Sequence, residues 1–464
     1  MSAPVATEDR LTSDAPGPSL EERIIASCGE LTADGIATSI GAMVRRGDLG
    51  HGDRLPTVRR LARSAGVSSS TIAEAWRILA RHGLIETARR NGTTIRAART
   101  EMTGRFWRVP ATIPANGGPP ILDLSTGTPD TDLLPTIASI LSGLHADVSI
   151  TSYIDRPVLE DLEIVLRAQA PFDAEAVTVL DGSLDALDRC ISALVQFGDA
   201  VVVEDPTFPP ILDMLERAGA EIIGVPIDAE GIVPDHLAAA LSIEPVLAIL
   251  QPAAHNPTGR SMSADRVDAV ASLFATLAPD TWILEDHHAG RLVAGPVPSI
   301  GIHLPHRVVH IHSFSKTHGP DLRIAAVSGA AEPIAAVVDR RRLGPSWTSR
   351  LIQHVLLALL QDPATDRLVE RAACDYDRRR LAIAGGLADH GIDVVSSAGL
   401  NMWVPVANEQ RAVLALALAG IGVAPGAPFS VDSSAPPNHL RISLGNARSD
   451  LDRVVDAIAT AATA

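Results

Sequence analysis

Between residues 176 and 313, short apolar runs recur with amphipathic stretches between them. AVTVL (176–180), DAVVVE (199–204), EIIGVPI (221–227), VLAILQ (246–251), WILED (282–286) and RVVHIHS (307–313) have the length and β-branched content of strands. LDALDRCISALVQ and PPILDMLERAG, which lie between them, carry helical periodicity. Runs that are apolar throughout belong to strands covered on both faces. They predict an α/β domain built on a mainly parallel sheet. Ligands of such sheets bind beyond the carboxyl ends of the strands, so the polar residues there are the informative ones.

After the first run, DGSLDAL makes a Gly-Ser turn that opens a helix, and the free N–H groups of Ser183 and Leu184 suit a phosphate. PTFPP places Phe208 in a turn after the second run, and PAAHNPTG places Asn256 after the fourth. Glu285 and Asp286 end the fifth; Ser313, Ser315 and Lys316 follow the sixth, with Arg323 seven residues beyond Lys316. All but one of the 39 Lys+Arg residues are arginine, and the exception is Lys316. A guanidinium replaces an ammonium as a surface charge but cannot serve as a Schiff-base amine at neutral pH, so nitrogen chemistry explains the one lysine retained. Each feature alone is more often structural. Together they supply the parts of a pyridoxal 5'-phosphate (PLP) pocket: an amine, a carboxylate for the pyridinium proton and an aromatic face. Hydroxyls, a helix N-terminus and an arginine complete it at the phosphate.

A chain of 464 residues exceeds one core, and its charge is unevenly spread. Residues 31–100 hold 12 Arg against 5 Asp+Glu, a balance of +7, within a chain whose net charge is -16. A basic block on an acidic chain is the pattern of a nucleic-acid reader joined to something else. DGIATSIGAMVRR (34–46) puts Ile36, Ile40, Met43 and Val44 on one helical stripe. Pro56-Thr57 opens a second helix, Gly66 turns the chain, and Ser68 is an N-cap for a third helix with Ile72, Ala75, Trp76 and Leu79 inward. Arg89-Arg90-Asn91-Gly92 reads as a hairpin tip between strands around Ile85 and Ile95. The result is a winged helix-turn-helix at residues 31–96.

DRLPTVRRLARSAGVSSSTIAEAWRILARHGLIE resembles the DNA-binding domain of GntR-type repressors, with their LPSxRxLAxxLGVSRxTVxxAxxxLxxxGL phrase. The resemblance implies that Arg59, Ser68, Ser69, Ser70, Thr71 and the wing tip at Gly92 meet operator DNA, with Arg89 and Arg90 in a groove or on phosphates. Ser69 stands where the family usually has arginine, which removes one bidentate guanine contact.

Residues 121–464 resemble fold-type I aminotransferases, with a small C-terminal α/β subdomain at about 345–464. That resemblance implies Lys316 as the Schiff-base lysine and Asp286 on the pyridine nitrogen. It puts Asn256 at the ring hydroxyl and Phe208 on the ring. Ser183, Leu184, Ser313, Ser315 and Arg323 fall on the phosphate. Arg441 of HLRISLG corresponds to the arginine that grips a substrate carboxylate, and Tyr153 to a tyrosine reaching the neighbouring subunit's phosphate. His288 replaces the usual tyrosine at the ring hydroxyl, and YIDRPVLEDL is shorter than the family's phrase around Tyr153.

A GntR-like reader ahead of an aminotransferase-like domain is similar to the MocR (GabR-like) regulators. The similarity implies a PLP-dependent regulator of transcription that binds double-stranded operator DNA as a head-to-tail homodimer. Its effector would be an amino acid, an amine or PLP itself. A working aminotransferase with an appended DNA-binding domain is the alternative. Residues 1–30 are expected to form a disordered or loosely ordered tail, and residues 97–120 a linker. No apolar run reaches membrane-span length and no signal peptide is read, so a cytoplasmic protein is expected. Cys28, Cys190 and Cys374 suggest neither disulfides nor zinc. No metal is expected at His287 and His288, because adjacent side chains rarely converge on one ion.

Overall fold

The computed structural model describes residues 19–95 apart from 30, 47, 51, 82–84 and 89–91, then residue 105, residues 122–143, residues 156–432 apart from 294, and residues 438–463. The chain divides into two compact units, Met1–Met102 and Thr103–Ala464.

In the first unit, helices Leu20–Ser27, Ala33–Arg46, Val58–Ala65 and Ser69–Arg81 precede antiparallel strands Ile85–Ala88 and Gly92–Ile95. Ile36, Ile40, Leu61, Ile72 and Trp76 meet in one core. Thr57 caps the second helix-turn-helix element through Arg60 N, and Gly66 ends it at φ 67°, a left-handed conformation that glycine adopts without strain. The hairpin pairs Ile85 with Ile95. It gains a third strand-like segment, since Leu55 N donates to Thr93 O and Ile95 N to Asp53 O, both at 2.9 Å.

One expectation is corrected here. Part of the presumed tail, Leu20–Ser27, is a helix. Ser19 and Glu22 form a reciprocal capping box, Ile24 enters the core, and Glu21 pairs with Arg60 at 2.6 Å. The acidic composition of the first residues masks this short Ser-x-x-Glu signal.

In the second unit all six expected strands are present. The eight-stranded sheet runs, edge to edge, Ala176–Leu180, Ala325–Gly329, Val308–Ser313, Trp282–His287, Leu247–Leu250, Ala200–Asp205, Glu221–Asp228 and Gly231–Ile232. Pairing is parallel from Val308–Ser313 through Glu221–Asp228. The unexpected strand Ala325–Gly329 is antiparallel to both neighbours. Val201 and Val203 enter one core and Val202 another, as a strand covered on both faces requires. No helix among the described residues is long and apolar enough to cross a membrane.

A smaller antiparallel sheet joins Asn401–Pro405, His439–Ser443 and Ala424–Pro425. Leu122–Asp123 pairs in parallel with Ile421–Gly422, so the small C-terminal layer also takes in the start of this unit. Helix Pro363–Asp389 is tied to the same start through buried groups. Arg379 Nη2 meets Asp130 Oδ2 at 2.7 Å, and Asp130 N donates to the Tyr376 hydroxyl at 2.7 Å. Arg379 also donates to Leu444 O and Gly445 O. Arg379→Leu leaves Asp130 with Arg448 as its one cation among the described residues, beside the Asp132 N–H, and should lower stability by about 3 kcal/mol, the low end for breaking a buried pair. Urea denaturation followed by tryptophan fluorescence reads the loss.

Candidate functional site

Asp286 is the next-to-last residue of the central strand Trp282–His287 and is 1 % exposed. Its Oδ2 accepts from Gln251 Nε2 at 2.7 Å, and Gln251 Oε1 accepts from Asn256 N at 2.9 Å. One amide thus orients both the carboxylate and the Asn256 turn. Asp286 Oδ1 is buried and has no hydrogen-bond partner among the described residues. A buried acceptor in that state is destabilising until a donor arrives, which makes it a receptor for a ring N–H. Burial pushes the Asp286 carboxyl up to about 6, against the bond from Gln251. Glu204, which accepts from Gln251 N at 2.7 Å, is raised by burial to about 8, with the charge of Asp286 adding to the shift.

Lys316 Nζ donates to Gly127 O. Burial lowers its amine to about 8, and the charge of Arg441 adds to that. Arg441 is itself buried, donates to Ser125 O and to Asn256 Oδ1 (3.5 Å), and lies 5.3 Å over the Phe429 ring. Among the described residues its Nε has no partner. His288 Nε2 lies 2.8 Å from Ala254 O. A carbonyl only accepts, so that nitrogen carries the proton. Burial lowers the imidazole to about 4, so the ring is neutral at neutral pH. Its N–H is engaged by backbone, and Nδ1 offers only a lone pair.

Only the neutral amine of Lys316 is nucleophilic. The rate at which PLP-free protein captures PLP should rise about tenfold per pH unit up to about 8 and then level. Stopped-flow absorbance across that range checks it, and a plateau beginning near the ordinary lysine value would refute the burial effect.

At the other end of the site, Gly182 has φ 99° and N-caps helix Ser183–Leu194. A Cβ at Gly182 would stand 2.9 Å from Arg323 Nη2, so glycine makes room for that guanidinium. Arg323, at φ 47°, donates to Asp181 O at 3.4 Å. Ser313 is buried and its Oγ accepts from Ser315 N at 3.4 Å. Phe208 caps helix Pro209–Ala218, and the preceding Thr207 N donates to Phe429 O, which brings this turn to the ring beneath Arg441. Tyr153 lies outside the described residues.

Gln251, Ser125, Gly127, Glu204 and Phe429 join this arrangement without a motif of their own. The signals present are the polar ends of DAVVVE and VLAILQ.

In the winged helix, Arg59, Ser68, Ser69 and Ser70 are exposed and Thr71 is half-buried. Ser68 Oγ accepts from Thr71 N at 3.0 Å as an N-cap and contacts the hydroxyls of Ser70 and Thr71. Ser69 and Ser70 open the helix with short exposed hydroxyls beside its free N–H groups. Gly92 is exposed at φ 77°. Arg89 and Arg90 lie outside the described residues.

A buried lone acceptor on Asp286, a partly neutralised lysine, a glycine-and-arginine cradle at a helix N-terminus and a buried arginine fit PLP bound with an acidic ligand. Residues 119–458 match the family described as aminotransferase class I and II, and residues 32–95 match the bacterial regulatory proteins of the gntR family. The chain is 34% identical over 421 residues to the vitamin B6 salvage pathway transcriptional repressor PtsJ of Salmonella typhimurium, covering 89% of this chain and 94% of that protein. It is 27% identical to the HTH-type pyridoxine biosynthesis transcriptional regulator PdxR of Corynebacterium glutamicum, over 76% of this chain and 78% of that one. Among solved structures, a kynurenine aminotransferase of Pyrococcus horikoshii superposes with a TM-score of 0.66 at 21% identity, covering 74% of this chain and 90% of its own. An archaeal alanine:glyoxylate aminotransferase does so at 0.69 and 22%, over 77% and 95%. At that identity the likeness is one of fold.

Proposed function

The chain belongs to the class I and II aminotransferase family and carries a gntR-family domain ahead of it, and on that premise we propose that it is a PLP-dependent transcription regulator of the MocR type. The observation that carries this reading is the presence, in one chain, of a capped recognition helix and a lysine–carboxylate–arginine site.

When bound, PLP supplies an electrophilic carbonyl and an electron-withdrawing ring. Lys316 provides the amine that meets the carbonyl. Asp286 Oδ1 takes the ring N–H, held in place by Gln251. Ser183, Leu184, Ser313, Ser315 and Arg323 hold the phosphate, with Tyr153 contributed across a homodimer. Phe208 covers the ring, and Asn256 and His288 border its hydroxyl. Arg59, Ser68, Ser69, Ser70, Thr71, Arg89, Arg90 and Gly92 meet operator DNA. The protein works as a head-to-tail dimer in the cytoplasm, where the operator is.

The names of two relatives, a vitamin B6 salvage repressor and a pyridoxine biosynthesis regulator, favour PLP itself as the signal. Occupancy of the site then shifts the affinity for DNA, which requires different PLP affinities in the DNA-free and DNA-bound protein. A second reading, an amino acid as signal, is favoured by Arg441, whose buried guanidinium suits a carboxylate. Operator binding measured with PLP-free protein, PLP-loaded protein and PLP plus a panel of amino acids and amines separates them. PLP alone is expected to change the affinity about fivefold or more, the low end of allosteric coupling, and Arg441→Ala to leave that change intact. A response that needs an amino acid and vanishes in Arg441→Ala moves the second reading to first place. Steady conversion of PLP to pyridoxamine phosphate by an amino donor would instead make the protein an aminotransferase.

A further inference from the structure

His287, His310 and His312 gather on the sheet face opposite Asp286. Successive strand residues point to opposite faces, so His287 turns away from its neighbour Asp286. His312 is the cross-strand partner of His287, and His310 shares its face two residues earlier. One ligand nitrogen from each of the three rings lies within 4.8 Å of the others.

Both ring nitrogens of His287 and Nε2 of His312 are buried, and among the described residues none makes a well-formed hydrogen bond, the Gly290 backbone being the polar group that interacts with the His287 ring. An imidazole always has one lone pair, and such a nitrogen in a dry interior calls for a water or an ion. His310 differs in an instructive way. Its Nδ1 lies 3.1 Å from Glu285 Oε2, and the two oxygens of that carboxylate also accept from Ser299 Oγ (2.7 Å) and Ile300 N (2.6 Å). The acid is thus fixed from three sides. It makes Nδ1 the donor and leaves Nε2 as the lone-pair nitrogen, the carboxylate–histidine arrangement that orients metal ligands.

We propose that His287, His310 and His312 bind one divalent transition-metal ion of the zinc class, with Glu285 as the carboxylate behind His310. Three neutral imidazoles suit zinc, cobalt or nickel rather than calcium or magnesium, and a fourth position stays open for water. Zinc–nitrogen bonds of about 2.0–2.1 Å place tetrahedral ligand nitrogens about 3.4 Å apart. Binding would draw the three nitrogens in from their present spacing of up to 4.8 Å. The expectation of no metal considered only the adjacent pair His287 and His288. Those two do separate: His288 turns to Ala254 O, and His287 finds its partners on the next strand. The ion would pin together the two strands that carry Asp286 and, four residues beyond His312, Lys316.

The test uses the untagged, PLP-loaded, full-length protein, stripped with chelator and titrated with cobalt(II). One equivalent per chain should bind with the intense d–d bands of a low-coordinate nitrogen site, and zinc should bleach them. His312→Leu should abolish the stoichiometric site, and Glu285→Gln should weaken it about 10–100-fold. The PLP chromophore reports whether each variant is folded. Failure of the wild-type protein to take up one equivalent overturns the proposal, whatever the variants do. So does undiminished binding in folded His312→Leu, which would place the metal elsewhere.

Discussion

Lys316→Arg should give a folded protein that loses its PLP on gel filtration and has no visible chromophore. Arginine keeps the positive charge and most of the length but has no amine to offer the cofactor carbonyl. With this residue gone, the chain contains no other lysine to stand in for it. The loss is measurable as stability as well as colour. Free PLP at 100 times its dissociation constant stabilises the wild-type fold by about 2.7 kcal/mol, and the variant should forgo nearly all of that. Thermal melts with and without PLP make the comparison. A variant that retains the chromophore after gel filtration would remove Lys316 from its assigned role.

DNA binding should weaken about a thousandfold between 50 and 200 mM salt, as for a dimer that makes about six phosphate contacts. The reason lies in how the charge is divided. Residues 31–100 carry +7 while residues 101–464 carry 25 basic and 44 acidic side chains, a balance of -19. The large unit repels a polyanion, so attraction must come from the arginines of the winged helix. Arg59→Ala, which alters an exposed side chain outside the core, should lower the salt slope by about one per site occupied. Fluorescence anisotropy with a labelled operator over a salt series gives both numbers. A slope near zero, or one that Arg59→Ala leaves unchanged, would assign the contact surface elsewhere.

What could be read in advance follows the physical origin of each element. Strands that are buried on both faces must be apolar throughout, so Ala200–Asp205 and Leu247–Leu250 announce themselves. Ala325–Gly329 is buried as fully but reads Ala-Ala-Val-Ser-Gly, small residues with a single β-branched side chain, and its sheet position is set by its neighbours rather than its own propensity. The same division runs through the site. Lys316, Asp286 and Arg441 stand out because their chemistry is unusual for their surroundings. Gln251 matters only because the fold brings Asp286, 35 residues away in sequence, to its amide. The imidazole cluster is hidden for the same reason: His287 pairs with residues of another strand, and cross-strand register is not written in either segment alone.

The pairing of Leu122–Asp123 with Ile421–Gly422 sets where this protein can be recombined with others. Arg105 already belongs to the large unit through Asp213, Glu216 and Ser430 O. Gly127 and Ser125 supply the carbonyls on which Lys316 and Arg441 rest. A chimera joined at residue 123 would therefore strip a strand from one layer, remove Arg105 with its bonds, and put the junction two residues ahead of Ser125. Joined ahead of Arg105, a foreign DNA reader can be exchanged as a cassette while the large unit keeps every one of those bonds.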